Sequence, residues 1–188
     1  MKLKLLKFKS VKSTNDKAIK FIQTGKYSSG LIFSENQTKG KGTMGKKWVS
    51  KKGNIFVTFF FQVKVSKIKI QNFLKINAYI LKNVLKKYTN EPIKLKRPND
   101  LLIGGKKVSG ILQELVYHNE KEYLVTGIGV NTNTKVSDND FKSTNLTTNS
   151  KKKINNLKII LELKTKYEKL IFKLDNENYS FLKNLNRI

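Results

Sequence analysis

From Ile55 to Val63 almost every position is aliphatic, aromatic or β-branched, which predicts a strand in the interior of a sheet. Elsewhere the apolar positions are spaced. Leu3, Leu5 and Leu6 among the lysines of 2–9 predict a first strand. Ser13 and Thr14 are good helix N-caps, Ala18, Ile19, Phe21 and Ile22 form one helical face, and Gly25 supplies a stop. A short buried strand is expected from Gly30 to Glu35. From Ile68 to Tyr88, apolar residues recur every three to four positions at Leu74, Ala78, Leu81, Leu85 and Tyr88, which predicts a long helix lying across the sheet. Strands follow at Ile93 to Lys96, Leu101 to Ile103 and Lys107 to Tyr117, the last two joined by a Gly104-Gly105 turn, and then at Tyr123 to Val130. Residues Asn131 to Ser150 are polar and predict a mobile loop. A helix from about Ile154 to Leu174 and a short one near Tyr179 to Leu185 complete the pattern. With no repeat or linker visible, residues 1–188 read as one α+β domain built on a mostly antiparallel sheet flanked by helices.

Composition narrows the chemistry. The 188 residues contain no cysteine, which removes disulfides, thiolate zinc sites and cysteine nucleophiles. The single histidine, His118, falls at an expected hairpin tip, a poor start for a Ser-His triad or a histidine metal site. No apolar stretch approaches the roughly 18 residues of a membrane span, and the N-terminus lacks a signal-peptide core. A cytoplasmic protein with no membrane partner is the expectation. The formal net charge of +26 invites a nucleic-acid reading. All but two of the 39 basic residues are lysine, however, the exceptions being Arg97 and Arg187. Base reading favours the planar arginine fork, and the abundance of lysine, asparagine and isoleucine fits drift toward AT-rich codons. No specific DNA binding is expected.

Two segments carry candidate chemistry. The stretch from Gly40 to Lys47 follows a strand and offers glycine backbone amides beside lysines, as an anion cradle requires, although it lacks the spacing of a phosphate-binding Walker loop. Because it has little apolar surface to bury, it is expected to be mobile without ligand. The second segment is Lys96-Arg97-Pro98-Asn99-Asp100, a stiff turn presenting an amide and a carboxylate, followed by Lys107-Val108-Ser109-Gly110-Ile111-Leu112, a strand with lysine near its start and a glycine inside it.

Together with Ser13-Thr14-Asn15, Glu35-Asn36-Gln37-Thr38, Trp48 and Gly127-Ile128-Gly129-Val130-Asn131, these motifs resemble, in order and spacing over residues 3 to 133, the catalytic domain of the biotin protein ligases. The resemblance implies a fold similar to the class II aminoacyl-tRNA synthetase catalytic domain. It also implies a carbon–nitrogen ligase that makes biotinyl-AMP from biotin and ATP with Mg²⁺, then biotinylates a lysine of a biotin carboxyl carrier protein. Carried over residue by residue, it implies catalytic roles for Lys107, Lys41 and Asp100. Biotin contacts are implied at Ser13, Thr14, Asn15, Gln37, Gly40, Lys107 and Gly110, and nucleotide contacts at Lys41, Gly42, Trp48, Asn99, Lys107 and Asn131. Asp100 is implied either as a Mg²⁺ ligand or as the group orienting the acceptor lysine.

Four positions depart from the family's pattern. The family's arginines appear as Lys41 and Lys46, a third is replaced by Thr43, and Arg97 stands where the family has tryptophan. Thr43 removes a cation and predicts weaker retention of the adenylate. The resemblance extends to neither a helix-turn-helix domain before Ser13 nor a small β-barrel after the last helix, so repressor function is not expected, and it leaves room for a homodimer. A lipoate or octanoate transfer enzyme of the same fold, and a nucleic-acid-binding synthetase-like remnant, are the competing readings.

Overall fold

In the computed structural model, residues 2–64, 68–136 and 142–177 are described. Seven strands, β1 (Leu5–Phe8), β2 (Gly30–Ser34), β3 (Ile55–Val63), β4 (Ile93–Lys96), β5 (Asp100–Ile103), β6 (Lys106–His118) and β7 (Lys121–Val130), form one sheet in the order β1-β2-β3-β7-β6-β5-β4. The β1/β2 pair is parallel and the other neighbours are antiparallel. Helices α1 (Thr14–Gln23), α2 (Ile70–Leu85), α3 (Leu146–Ser150) and α4 (Asn156–Asp175) complete the fold.

The continuous apolar run of β3 follows from its position: both faces of the strand are covered. Ile55, Val57, Phe59, Phe61 and Val63 join the large core under α2 and α4, where Tyr167 stacks on Phe59 with ring centroids 3.8 Å apart. Phe60 belongs to a smaller core under α1, with Ala18, Phe21, Ile22, Tyr123 and Val125. The large core hides a polar strut in which Tyr167 donates to the Asn77 Oδ1 (2.9 Å) and the Asn77 amide donates to Gln113 (2.8 Å) and Thr126 (3.2 Å). The Glu162 carboxylate accepts from Tyr88 and Lys87 at 2.6 Å each, tying the end of α2 to α4.

Among the described residues, the expected strands and the helices expected at 13–25, 68–88 and 154–174 are present with ends shifted by a few residues, and Asn119 and Glu120, both with positive φ, turn β6 into β7 beside His118. Within the loop expected from 131 to 150, residues 131–136 and 142–150 carry a dense set of hydrogen bonds, and Leu146–Ser150 is helix where only loop is expected. The Asn54 Oδ1 accepts from the backbone N–H groups of Thr132, Asn133 and Thr134 at 2.9, 3.1 and 3.0 Å, so three successive amides close around one oxygen as in a small anion nest. Asn145 caps α3 by accepting from the Thr148 N–H at 2.7 Å, and Leu146 is fully buried. A polar sequence is thus held by its own hydrogen bonds, which hydropathy alone does not register. The helix expected near 179–185 and residues 137–141 of the expected loop lie outside the described residues. Among the described residues, no helix is long and apolar enough to cross a membrane.

Candidate active site

The site lies on the face of the sheet that carries α1. On that face, alternation places Gly127 and Gly129 of β7 beside Leu112 and Gly110 of β6, and the register pairs Gly110 with Gly129 and Leu112 with Gly127. The missing side chains leave a slot between the N-terminus of α1 and the β5/β6 edge. Ser13, Thr14, Asn15 and Gln37 line one end, and Lys107 and Asn99 the other, with Lys41, Gly42, Thr43, Lys46, Lys47 and Trp48 along the rim.

At the α1 end, the Ser13 hydroxyl accepts from the Asp16 N–H at 3.3 Å as the helix cap. Thr14 donates through both its N–H (2.8 Å) and its hydroxyl (3.0 Å) to the Gln37 Oε1, and Gln37 donates onward to Ser50 at 3.0 Å. Asn15, 3 % exposed, donates to Glu114 (2.6 Å) and to the Leu112 carbonyl (3.3 Å), and accepts from the Thr58 hydroxyl (2.7 Å). Its carboxamide lies where a side chain on Gly127 would stand, so that position has to be glycine.

At the other end, a bulge sets the direction of Lys107. Leu101 pairs with Ser109 but Leu102 pairs with Lys107, so the strand gains a residue and Lys107 turns to the same face as Gly110. Its ammonium lies 2.8 Å from the Asp100 carboxylate and 5.2 Å from the centre of the Trp48 ring. The pair is largely buried, at 15 % and 20 % side-chain exposure. Asp100 Oδ1 has no aligned hydrogen bond, so the contact with Lys107 is an ion pair. The Trp48 indole lies against Gly110 and Gly129, with its Cζ3 2.8 Å from where a Gly110 Cβ would be. The open volume of the slot is about 60 Å³, below the roughly 300–1,000 Å³ of small-molecule sites, and the Trp48 ring is what fills it.

The glycine-rich segment carries backbone hydrogen bonds of its own. Gly42 N–H donates to the Lys46 carbonyl (2.7 Å) and Trp48 N–H to the Gly40 carbonyl (3.0 Å), a small ladder closed by a turn at Thr43–Gly45. Lys41 is ion-paired with Asp16 at 2.5 Å. The hydrogen bond that Lys41 donates to Asp16 outweighs desolvation and, with the Asp16 and Glu114 charges, raises the Lys41 pKa above its usual value.

Of the residues singled out in the sequence, Ser13, Thr14, Asn15, Gln37, Lys41, Gly42, Trp48, Asn99, Lys107 and Gly110 line the slot together. Gly40 does not line it; a Cβ there would meet the Trp48 carbonyl at 2.5 Å, so this glycine serves loop packing. Asp100 reaches the site through Lys107. Asn131, 3 % exposed, lies just beyond the lining, and its Oδ1 is a buried acceptor without a hydrogen bond. Asn99 donates to the Ile111 carbonyl at 2.9 Å, which fixes the turn to β6. Asp16, Ser50, Asn54 and Glu114 carry no signal in the sequence, because each acts through a partner distant along the chain.

Among the described residues, no group of three or more histidine, cysteine, aspartate or glutamate side chains gathers as a metal cage. One carboxylate beside a lysine suits Mg²⁺ only as ATP brings it, with phosphate oxygens and water supplying most of the ligands.

Comparison with known proteins adds four findings. Residues 7–131 match the model of the Biotin/lipoate A/B protein ligase family. The chain is 28 % identical over 110 residues to the bifunctional ligase/repressor BirA of Bacillus subtilis, covering 57 % of this chain and 34 % of that protein. It is 30 % identical over 122 residues to the biotin–[acetyl-CoA-carboxylase] ligase of Paracoccus denitrificans, covering 63 % of this chain and 50 % of that one. The matched region therefore spans between a third and a half of these curated relatives. The biotin protein ligase of Aquifex aeolicus, solved in complex with biotin and ATP, superposes with a TM-score of 0.79 at 24 % identity, covering 96 % of this chain and 75 % of that one. At that identity, the likeness concerns the fold.

Proposed function

Because the chain belongs to the Biotin/lipoate A/B protein ligase family, we propose that its slot is the active site of a biotin protein ligase acting in the cytoplasm, with 1–188 as the catalytic domain. The observation that carries this reading is the glycine floor, with hydrogen-bonding side chains at one end and the buried Lys107–Asp100 pair at the other. Ser13, Thr14 and Gln37 can donate to and accept from a ureido group. An apolar acyl or dithiolane group would offer nothing to the hydrogen-bonding capacity these three keep beyond their bonds to Asp16, to one another and to Ser50, which favours biotin over lipoate or octanoate.

In the first half-reaction a biotin carboxylate oxygen attacks the α-phosphorus of ATP and pyrophosphate leaves. Two anions have to be brought together, and Lys107 and Lys41 supply fixed positive charge where it develops, in a site partly shielded from water. Asp100 keeps Lys107 aimed at the slot and would be the carboxylate able to hold the Mg²⁺ that accompanies ATP, which would supply further positive charge at the phosphates. Trp48 moves off the floor to stack on the adenine, and Asn131 turns its unpaired oxygen to the nucleotide. In the second half-reaction, the neutral amine of an acceptor lysine on a biotin carboxyl carrier domain attacks the acyl carbonyl, AMP leaves, and the amine proton passes to solvent or to Asp100. The test is biotin-dependent exchange of labelled pyrophosphate into ATP, followed by transfer of biotin to a carrier domain. Exchange supported by lipoate instead of biotin would reject the biotin assignment.

A further inference from the structure

Glu114 has no part in the mechanism above, yet it is the carboxylate on which the α1 end of the slot is built. It stands on β6 two positions beyond Leu112, on the same face, and accepts from the Asn15 amide at 2.6 Å. The Thr58 hydroxyl donates to the other end of the same carboxamide at 2.7 Å. A donor on one side and a carboxylate on the other allow Asn15 a single orientation. Both Asn15 amide hydrogens are used, on Glu114 and on Leu112, so Asn15 acts mainly as a peg joining α1 to β3, β6 and β7. Ser13 and Thr14 directly precede it, and Thr14 is in turn bound to Gln37.

We infer that Glu114 is a positioning residue for biotin: its carboxylate locks Asn15 and thereby holds Ser13 and Thr14 where they meet the ligand. This inference rests on the ligase reading. A charge-assisted hydrogen bond to a buried amide is worth about 10- to 150-fold in an equilibrium, and here that factor appears in the biotin KM, not in the KM for ATP.

The test exchanges the two chemistries. Asn15→Asp places two carboxylates together and raises the biotin KM about 30-fold or more, while Glu114→Gln, which can still accept a hydrogen bond, raises it about threefold. In the double variant the new carboxamide at position 114 donates to the new carboxylate at position 15, so the biotin KM falls back to within about fivefold of wild type. A double variant no better than Asn15→Asp overturns the inference. If Asn15→Asp does not fold, Glu114→Ala decides: a folded protein with a biotin KM raised about tenfold and an ATP KM within about twofold of wild type supports the role, and an unchanged biotin KM overturns it. A wild-type protein without biotin-dependent exchange would instead reject the ligase reading itself.

Discussion

Replacing Lys107 with alanine separates the chemistry of the slot from its stability. At 2.8 Å from Asp100, the ammonium has a gross Coulomb attraction of about 6 kcal/mol at an effective dielectric constant of about 20. Desolvation of both groups offsets most of that, but removing Lys107 leaves Asp100 a largely buried charge without its counter-ion, a loss of about 3–5 kcal/mol. That lowers the melting temperature by about 6–20 °C for a chain of this size, so the variant is assayed at low temperature. The rate effect is separate. Removing a preorganised group aimed at developing charge costs on the order of 10²- to 10³-fold, read as biotin-dependent pyrophosphate exchange at saturating ATP. Asp100→Asn provides the contrast: with Lys107 still present, exchange falls less than in Lys107→Ala if Asp100 acts chiefly as its counter-ion. A folded Lys107→Ala protein whose exchange stays within about threefold of wild type, far from the expected 10²-fold loss, would refute the role assigned to Lys107.

Gly129→Ala should push the Trp48 ring off the floor, since a Cβ there would stand 2.7 Å from the indole Nε1. As Trp48 is the sole tryptophan, a red-shifted emission and a higher ATP KM with little loss of stability are expected; an unchanged spectrum would contradict the packing. Addition of biotin with MgATP should also change wild-type tryptophan emission, because the indole, which packs on Gly110 and Gly129 without ligand, would move to stack on the adenine. Thr43→Arg should slow release of biotinyl-AMP by about 10-fold or more, and equal off-rates would show that the lysines nearby already hold the intermediate. The carboxyls of Glu162 and Glu168 are pushed up by desolvation but lie, on balance, below their usual 4.5 because of Lys87 and Tyr88 in the one case and Lys164 and the Leu3 N–H in the other. Depressed folded-state values give stability that is present above pH 4.5 and is lost as pH falls through them. Acid unfolding curves of Glu162→Gln and Glu168→Gln should therefore be flatter than wild type below that pH.

The strands and long helices were legible because their signals are local. The run at β3, the helical spacing of α2 and the Gly104-Gly105 turn each carry their own pattern. The slot was legible only as separate motifs. That Gly110 and Gly129 are cross-strand neighbours depends on the register of β6 and β7, and that Lys107 shares their face depends on a bulge that alternation does not foretell. Residues 131–136 and 142–150 misled for a related reason. Their polar side chains are hydrogen-bond partners for a folded backbone, and Asn54, whose oxygen gathers three amides, lies nearly 80 positions away along the chain. Glu114 was silent because a charged residue on a strand reads as surface until Asn15 is placed above it.

The most direct test of the account is exchange of labelled pyrophosphate into ATP by the purified chain, with biotin, lipoate, octanoate or no acid added. Biotin alone should support exchange, and Lys107→Ala should lose it while remaining folded. Exchange that follows lipoate or octanoate, or that is absent with every acid, would contradict the assignment of this slot to biotin.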